Sequence, residues 1–131
     1  MQIPVKTHAR TQMIDITSQV RRVVQESKIK NGLVHVCSLH TTAAITINEN
    51  ADPAVETDIL NTINRVIPWD DHFKHMEGNS AAHIKVSLVG PSELIPLENG
   101  SLVLGTWQGI FFCEFDGPRN RRVNVKIMGD S

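Results

Sequence analysis

Segment Leu33–Ile47 reads LVHVCSLHTTAAITI, and its β-branched residues predict two extended strands, over residues 33–39 and 41–47. The chain then changes to a helical pattern. Asp52 is a good N-cap, and Pro53 suits the first position of a helix, where a missing N–H has no intrahelical partner to lose. Strands followed directly by an amphipathic helix indicate a domain of the α+β class.

The helix that begins at Pro53 is expected to end at Pro68, and its apolar residues follow helical spacing along one buried stripe. This stripe comprises Val55, Ile59, Leu60, Ile63, Val66 and Ile67. A shorter helix is predicted earlier in the chain, with Thr17 or Ser18 as its cap and Asn31-Gly32 as its stop. Its apolar side carries Val20, Val23 and Val24.

The remaining segments predict β-structure. Strands are expected at residues 11–16, 84–89, 94–97, 102–104, 108–115 and 123–128. Between two of them, Asn99-Gly100 is the strongest short-range signal for a hairpin, and a second turn is expected at residues 116–119. Two helices and seven or eight mostly antiparallel strands predict one α+β domain over residues 1–131, with the helices packed on one face of an antiparallel sheet or sandwich.

The composition has no strong charge bias, since the formal net charge of the 131 residues is −1 at pH 7. We therefore expect neither a nucleic-acid partner, which would require a basic face, nor a membrane partner. Residues 1–6 lack the apolar core of a secretory signal, and no apolar run reaches membrane-spanning length. Cys37 and Cys113 lie in apolar segments without a C-x-x-C pair, so we expect two buried, reduced thiols in a cytoplasmic protein.

Three of the six histidines fall in one short polar segment, Asp70–His83, which packing alone explains poorly. His75 and His83 bracket a loop that Gly78 can bend, and His40 lies where a strand meets a run of small residues. Three histidines from separate elements, with one coordination position open, are typical of a catalytic zinc site. No compact motif links His40 to His75, so the spacing leaves metal binding and plain hydrogen bonding open. The histidines expected to be bystanders are His8, His35 and His72.

Polar residues near these histidines are further candidates. If residues 84–89 form a strand, alternation puts one set of side chains on a polar face and the other in the core. The polar set is His83, Lys85 and Ser87, and the apolar set is Ile84, Val86 and Leu88. Glu49 can act as a general base or hold an imidazole N–H, whereas capping explains Asp52. At the later turn Arg119 can clamp a phosphate, or it can simply pair with Asp116.

Three blocks of the sequence resemble the YjbQ family. The first reads HTTAAITINEN at residues 40–50 and is followed by Asp52-Pro53 and Asp58. The second reads HMEGNSAAHIKVS at residues 75–87. The third reads GTWQGI at residues 105–110 and is followed by Glu114 and Asp116-Gly117-Pro118-Arg119. The resemblance runs from about residue 8 to the C-terminus, and its most specific part is the GTWQG block.

The resemblance implies a small α+β sandwich that assembles as a homotrimer and holds a divalent metal in a cleft. The implied metal ligands are His40, His75 and His83. Zinc is favoured, with magnesium or manganese as alternatives. The implied activity is that of a thiamine-phosphate synthase, which joins a pyrimidine methyl diphosphate to a thiazole phosphate and releases diphosphate. The alternatives are a metallohydrolase that acts on a small phosphorylated or cyclic substrate and a non-enzymatic, trimeric metal-binding protein.

In such a cleft the polar residues of the three blocks take the remaining roles. The catalytic candidates are Glu49, Glu77, Lys85 and Gln108. The candidates for contact with a small phosphorylated substrate are Asn48, Asn79, Ser87, Glu114 and Arg119. Glu49 or Glu77 would serve as a base or orient an imidazole, and Lys85 and Arg119 would neutralise phosphate. We expect the cleft to lie between the histidine-rich loop and residues 48–50 and 108–119.

Overall fold

The computed structural model describes residues 1–131 and contains eight strands and three helices. In chain order they are β1 (Gln2–Lys6), β2 (Gln12–Asp15), α1 (Thr17–Ser27), β3 (Gly32–Ser38), β4 (Ala43–Glu49), α2 (Pro53–Val66), α3 (Ser80–Val89), β5 (Ser92–Glu98), β6 (Ser101–Leu102), β7 (Gln108–Glu114) and β8 (Asn120–Gly129). The predicted α+β class is confirmed, with one helix more than the sequence indicated.

The strands form two sheets that pack face to face. One sheet has five strands in the order β1-β8-β3-β5-β6, and the other has three in the order β2-β7-β4. Every pairing between neighbouring strands is antiparallel. Side chains between the sheets, among them Val34, Ile45 and Phe112, form the main core. The predicted antiparallel sandwich is therefore confirmed.

The three-stranded sheet is apolar on both faces because helices cover its outer side. Alternation along β7 sends Phe112 to the main core and sends Phe111 and Cys113 to a second cluster, which includes residues of α2 and α3. Helix α1 packs differently, since its Val20 and Val24 join the main core between the sheets. The sequence had suggested that the helices share one face of the sheet, and this expectation is wrong: α2 and α3 cover the small sheet, whereas α1 packs into the main core.

The strongest local signals give the predicted structures. The Asp52 carboxylate accepts a hydrogen bond from the Ala54 N–H at 2.9 Å, and α2 begins at Pro53. In the β5–β6 hairpin, Asn99 and Gly100 adopt φ values of 51° and 80°, the left-handed conformations that an Asn-Gly turn requires. The apolar stripe of α2 is less buried than expected: no α2 residue is fully buried, and Val66 is 69% exposed.

The strand predicted at residues 84–89 is wrong, because this segment is the second half of α3. Ile84, Val86 and Leu88 alternate like strand residues, but the helix is set by Ala82 and Val86, which lie one turn apart and pack on the small sheet. Its buried face follows helical spacing and comprises Ala81, Ala82, Lys85 and Val86. The expected polar face of His83, Lys85 and Ser87 does not form, and Ile84 and Leu88 are exposed instead of buried.

Two features near the N-terminus also differ from expectation. Strand β1 was not predicted, and it pairs with β8 in the five-stranded sheet. Helix α1 ends at Ser27, where Lys28 takes the left-handed conformation, rather than at Asn31-Gly32. Neither Thr17 nor Ser18 caps α1; instead the Asp15 carboxylate accepts hydrogen bonds from the Thr17 N–H and hydroxyl, at 2.9 and 2.6 Å. None of the helices has the length and apolar character that crossing a membrane requires.

Candidate functional site

The structure brings two of the predicted metal ligands together. His75 lies in the loop before α3 and His83 lies in α3, one turn after its start. Their ring centroids are 5.3 Å apart and the ring planes meet at 89°. Two imidazoles bound to one tetrahedral ion at ~2.1 Å place their centroids about 5 Å apart. The pair therefore has a spacing that suits a shared metal ion.

The two rings open into a cavity of about 380 Å³ on the protein surface. Its other lining residues are Phe73, Lys74, Ser80 and Ile84. Lys74 is exposed, and the Ser80 hydroxyl lies at the first residue of α3. The cavity thus combines two imidazoles with an ammonium and a hydroxyl, which are hydrogen-bond donors that suit an anionic ligand.

His40 does not join the pair within this chain. Its Nε2 accepts a hydrogen bond from the backbone N–H of Arg122 at 2.9 Å, so the neutral ring carries its proton on Nδ1. Burial, and then the positive charge of Arg121, lower the pKa of His40, which favours that neutral ring. No three His, Cys, Asp or Glu side chains of the chain converge closely enough to hold a metal ion. The expected three-histidine centre is therefore absent from a single copy of the chain.

The expected cleft does not form within one chain either, because its walls lie at opposite ends of the small sheet. In the β4–β7 register, Ala43 faces Glu114 at one end and Glu49 faces Gln108 at the other. Six residues of strand at ~3.3 Å each separate these ends by roughly 20 Å. Glu49 and Gln108 therefore cannot act on the same ligand as Glu114 in one copy of the protein.

Several of the predicted site residues have local structural partners. The Gln108 side-chain oxygen accepts the Gly105 N–H at 2.7 Å, and the Asn48 side-chain oxygen accepts the Glu49 N–H at 2.7 Å. The Ser87 hydroxyl donates to the His83 carbonyl one turn earlier, at 3.0 Å. These contacts shape loops and the helix. Of the two proposed bases, Glu49 is half-buried and Glu77 is exposed.

Glu114 belongs to a buried ion pair rather than to a substrate site. Its carboxylate is fully buried and accepts two hydrogen bonds from the Arg121 guanidinium. The Thr7 hydroxyl donates to Glu114 at 2.8 Å, and Arg121 donates to the Thr42 hydroxyl at 2.8 Å. Thr7, Thr42 and this role of Arg121 were missed from the sequence. The available signal was a single acid in the apolar run at residues 110–115.

Arg119 and Asn79 meet at Asp116. The Arg119 guanidinium pairs with the Asp116 carboxylate at 3.0 Å, which is the simpler of its two predicted roles. The Asn79 amide donates to the same carboxylate at 2.9 Å. The Asn79 side-chain oxygen is buried and has no donor within the chain. Both side chains are thus held by Asp116, which ties the start of α3 to the turn after β7.

Lys85 occupies a different environment from the one expected beside His83. Its side chain is 2% exposed, and its ammonium donates to the Asn64 side-chain oxygen at 2.6 Å. The ammonium also lies 5.8 Å from the centre of the Phe115 ring. Burial, and then the charge of Arg10, lower the pKa of Lys85. Lys85 therefore points away from the solvent surface on which a phosphate was expected to bind.

Solved structures show the same fold. An uncharacterised conserved protein of the YjbQ/UPF0047 family from Clostridium acetobutylicum superposes with a TM-score of 0.96 at 55% identity, covering 98% of this chain and 99% of that chain. A YbjQ-like protein of unknown function from Sulfolobus solfataricus also gives a TM-score of 0.96, at 38% identity, covering 99% of this chain and 96% of that chain. The sandwich with its three helices is therefore shared at high and at moderate sequence identity.

Sequence relatives lead to a correction of the expected activity. The UPF0047 protein YugU of Bacillus subtilis is 53% identical over 128 residues, 97% of each chain. A UPF0047 protein of Methanocaldococcus jannaschii is 54% identical over 126 residues, 96% of this chain and 91% of that one. Neither relative is described as a thiamine-phosphate synthase, and the Sulfolobus neighbour is of unknown function. The predicted thiamine-phosphate synthase activity was wrong, and Lys85 does not share a face with His83, where its phosphate contact was expected.

The resemblance noted in the three sequence blocks is confirmed at the level of the family. A family model described as UPF0047 protein YjbQ-like matches residues 1–130. The match includes all three blocks and both histidines of the pair. The chain therefore belongs to the YjbQ family.

Proposed function

We propose that the protein binds a divalent transition-metal ion, with zinc preferred, at His75 and His83. The observation that carries the proposal is the 5.3 Å separation of the two rings, at an interplanar angle of 89°. This separation suits two imidazoles on one tetrahedral ion. Nitrogen ligands favour zinc over magnesium, which prefers oxygen ligands.

We propose a small phosphorylated compound as the ligand that reaches this metal. Two histidines leave two tetrahedral positions for other groups. Beside them, Lys74 and Ser80 offer an ammonium and a hydroxyl to phosphate oxygens. A metal ion with an open position would act as a Lewis acid toward a phosphoryl oxygen. The residues of the chain would then bind and orient the phosphate next to that position.

We also propose that the protein works as a homotrimer in the cytoplasm. Leu88 and Ile84, on the same helix as His83, are 70% and 37% exposed, and a second copy could cover this apolar surface. His40 could reach the metal only from such a second copy. The number of three rests on the family resemblance. Both cysteines are free, which is the usual state in a reducing compartment.

Zinc titration of the chelator-treated protein tests the metal site. The unaltered protein should bind about one zinc per chain. His75→Ala and His83→Ala should each bind zinc at least tenfold more weakly, because each variant leaves the ion only one imidazole of the pair. His72→Ala is the matched control, since His72 is an exposed histidine of the same loop. Equal zinc binding by His75→Ala and the unaltered protein would refute the site.

Light scattering tests the assembly. We expect a mass three times that of the 14.6 kDa chain, and a loss of assembly in Leu88→Glu, because a buried carboxylate without a partner is costly. The matched control is Val66→Glu, since Val66 is equally exposed but lies on α2. A monomer at micromolar concentration would overturn the trimer proposal and leave the metal proposal standing.

A further inference from the structure

Lys85 is a buried cation without an anionic partner. Its only side-chain hydrogen bond goes to the neutral Asn64. The ion pairs of the protein are Arg119 with Asp116 and Arg121 with Glu114, and neither involves Lys85. A buried charge without a counter-ion is unfavourable, and most such charges in proteins are paired.

A second cation, Arg10, belongs to the segment that hydrogen bonds link to Lys85. The Arg10 guanidinium stacks over the Trp69 ring at 4.3 Å from its centre, and it also lacks a carboxylate partner. A short hydrogen-bonded chain runs from Lys85 to the residue after Arg10: Lys85 donates to the oxygen of Asn64, and the nitrogen of Asn64 donates to the hydroxyl of Thr11. Two like charges held near each other raise the cost of burying Lys85 further.

The groups around this chain are hydrogen-bond donors. An ammonium has three N–H groups, and Lys85 uses one on Asn64. The Thr11 oxygen accepts from Asn64, so its hydroxyl hydrogen remains free to donate. The Trp69 ring holds one face of the flat Arg10 guanidinium, which leaves the donor edge available. The arrangement lacks an acceptor with negative charge.

We infer that Arg10, Lys85 and Thr11 form an oxyanion-binding site that takes inorganic phosphate or the phosphate group of a small ligand. Arg10 is exposed and Thr11 is half-buried, whereas Lys85 is buried, so the anion would enter on the Arg10 side. An anion there would neutralise both cations and accept hydrogen bonds from their free N–H groups and from the Thr11 hydroxyl. This site does not depend on a metal at His75 and His83.

Calorimetric titration with inorganic phosphate tests the inference, in a buffer that contains a chelator and has constant ionic strength. The unaltered protein should bind phosphate, and Arg10→Gln should bind it about tenfold more weakly, because hydrogen bonds to charged groups are lost. Arg22→Gln is the matched control, since Arg22 is exposed on α1 and makes no side-chain contact to this region. It should bind phosphate as the unaltered protein does.

Lys85→Met provides a second measurement, because it replaces an unpaired buried charge by an apolar side chain of similar length. We expect it to melt at a higher temperature than the unaltered protein without phosphate and to show no stabilisation by phosphate. If Lys85→Met does not fold, Arg10→Gln alone decides. Absence of phosphate binding, or equal binding by Arg10→Gln and Arg22→Gln, would overturn the inference. So would loss of binding in His83→Ala with full binding in Arg10→Gln, since the anion would then lie at the histidine pair.

Discussion

The Glu114 carboxylate and the Arg121 guanidinium form a two-point ion pair inside the sandwich, with side-chain exposures of 0% and 5%. Glu114 is the last residue of β7 in the small sheet, and Arg121 is the second residue of β8 in the large sheet. The pair therefore fastens the two sheets at the point where the chain crosses between them. Thr7 and Thr42 satisfy further polar atoms, so the network is buried without unpaired charge.

We predict that Glu114→Gln lowers the free energy of unfolding by about 3–5 kcal/mol, because it leaves the Arg121 charge buried and unpaired. Urea unfolding followed by circular dichroism measures the change. Arg119→Gln is the control, because the Arg119–Asp116 pair is half exposed and should contribute about 1 kcal/mol or less. Similar losses in the two variants would show that the buried pair has no special role.

The two cysteines should react very differently in the folded protein. Burial raises the pKa of the Cys113 thiol to about 12, and its side chain is 3% exposed, so little reactive thiolate forms. Cys37 is half-buried on the large sheet. A maleimide should therefore label one thiol per native chain and two after denaturation. Cys37→Ser should remove the native labelling, and Cys113→Ser should leave it unchanged; the reverse pattern would contradict the structure.

Acid should weaken the start of α1 through Asp15. Burial alone would raise the pKa of Asp15, but hydrogen bonds from Thr17 and Asn50 and the charge of Arg21 outweigh it and lower the pKa below 3.8. A carboxyl with a lowered folded-state pKa adds stability above its unfolded pKa and loses it as the pH falls through the folded value.

Unfolding measured between neutral pH and pH values below 3.8 should therefore depend less on pH in Asp15→Asn than in the unaltered protein. The expected difference is about 1 kcal/mol or less, because Asp15 is exposed and solvent screens it. Asp58→Asn, on the exposed side of α2, serves as the control. If the stability of Asp15→Asn falls with pH as much as that of the unaltered protein, Asp15 does not contribute to the acid dependence.

The cap of α2 should contribute measurably to stability. Asp52→Ala removes the acceptor for the Ala54 N–H and should cost about 1 kcal/mol in urea unfolding. Asp58→Ala removes an acid from the same helix without removing a cap and should change stability by about 0.5 kcal/mol or less. Equal free energies of unfolding for Asp52→Ala and Asp58→Ala would mean that the stability of α2 does not depend on the Asp52 cap.

The elements that the sequence predicts well are those that local chemistry determines. Asp52-Pro53 and Asn99-Gly100 act within a few residues, so their structures could be read without knowing the rest of the fold. The identity of α3 depends on what lies beneath it. Apolar residues at 84, 86 and 88 fit a strand, and only packing of Ala82 and Val86 on the small sheet favours the helix.

The site follows the same division. His75 and His83 are close in sequence, and their rings meet in the structure. The position of His40 relative to them depends on the order of strands in both sheets, which no local signal contains. For the same reason, the sequence grouped Glu49 with Glu114, although the β4–β7 register holds them at opposite ends of the sheet. A catalytic constellation assembled from distant segments needs the topology first.

The position of β8 between β1 and β3 constrains the order in which the large sheet can assemble during synthesis. Residues 120–129 are made after all the other strands, yet they occupy an inner place in the large sheet. Until they leave the exit tunnel, β1 has no neighbour and β3 has an open edge, which other chains could bind. The large sheet can therefore close only once β8 is available, in a step that brings β1 and β3 to its two edges.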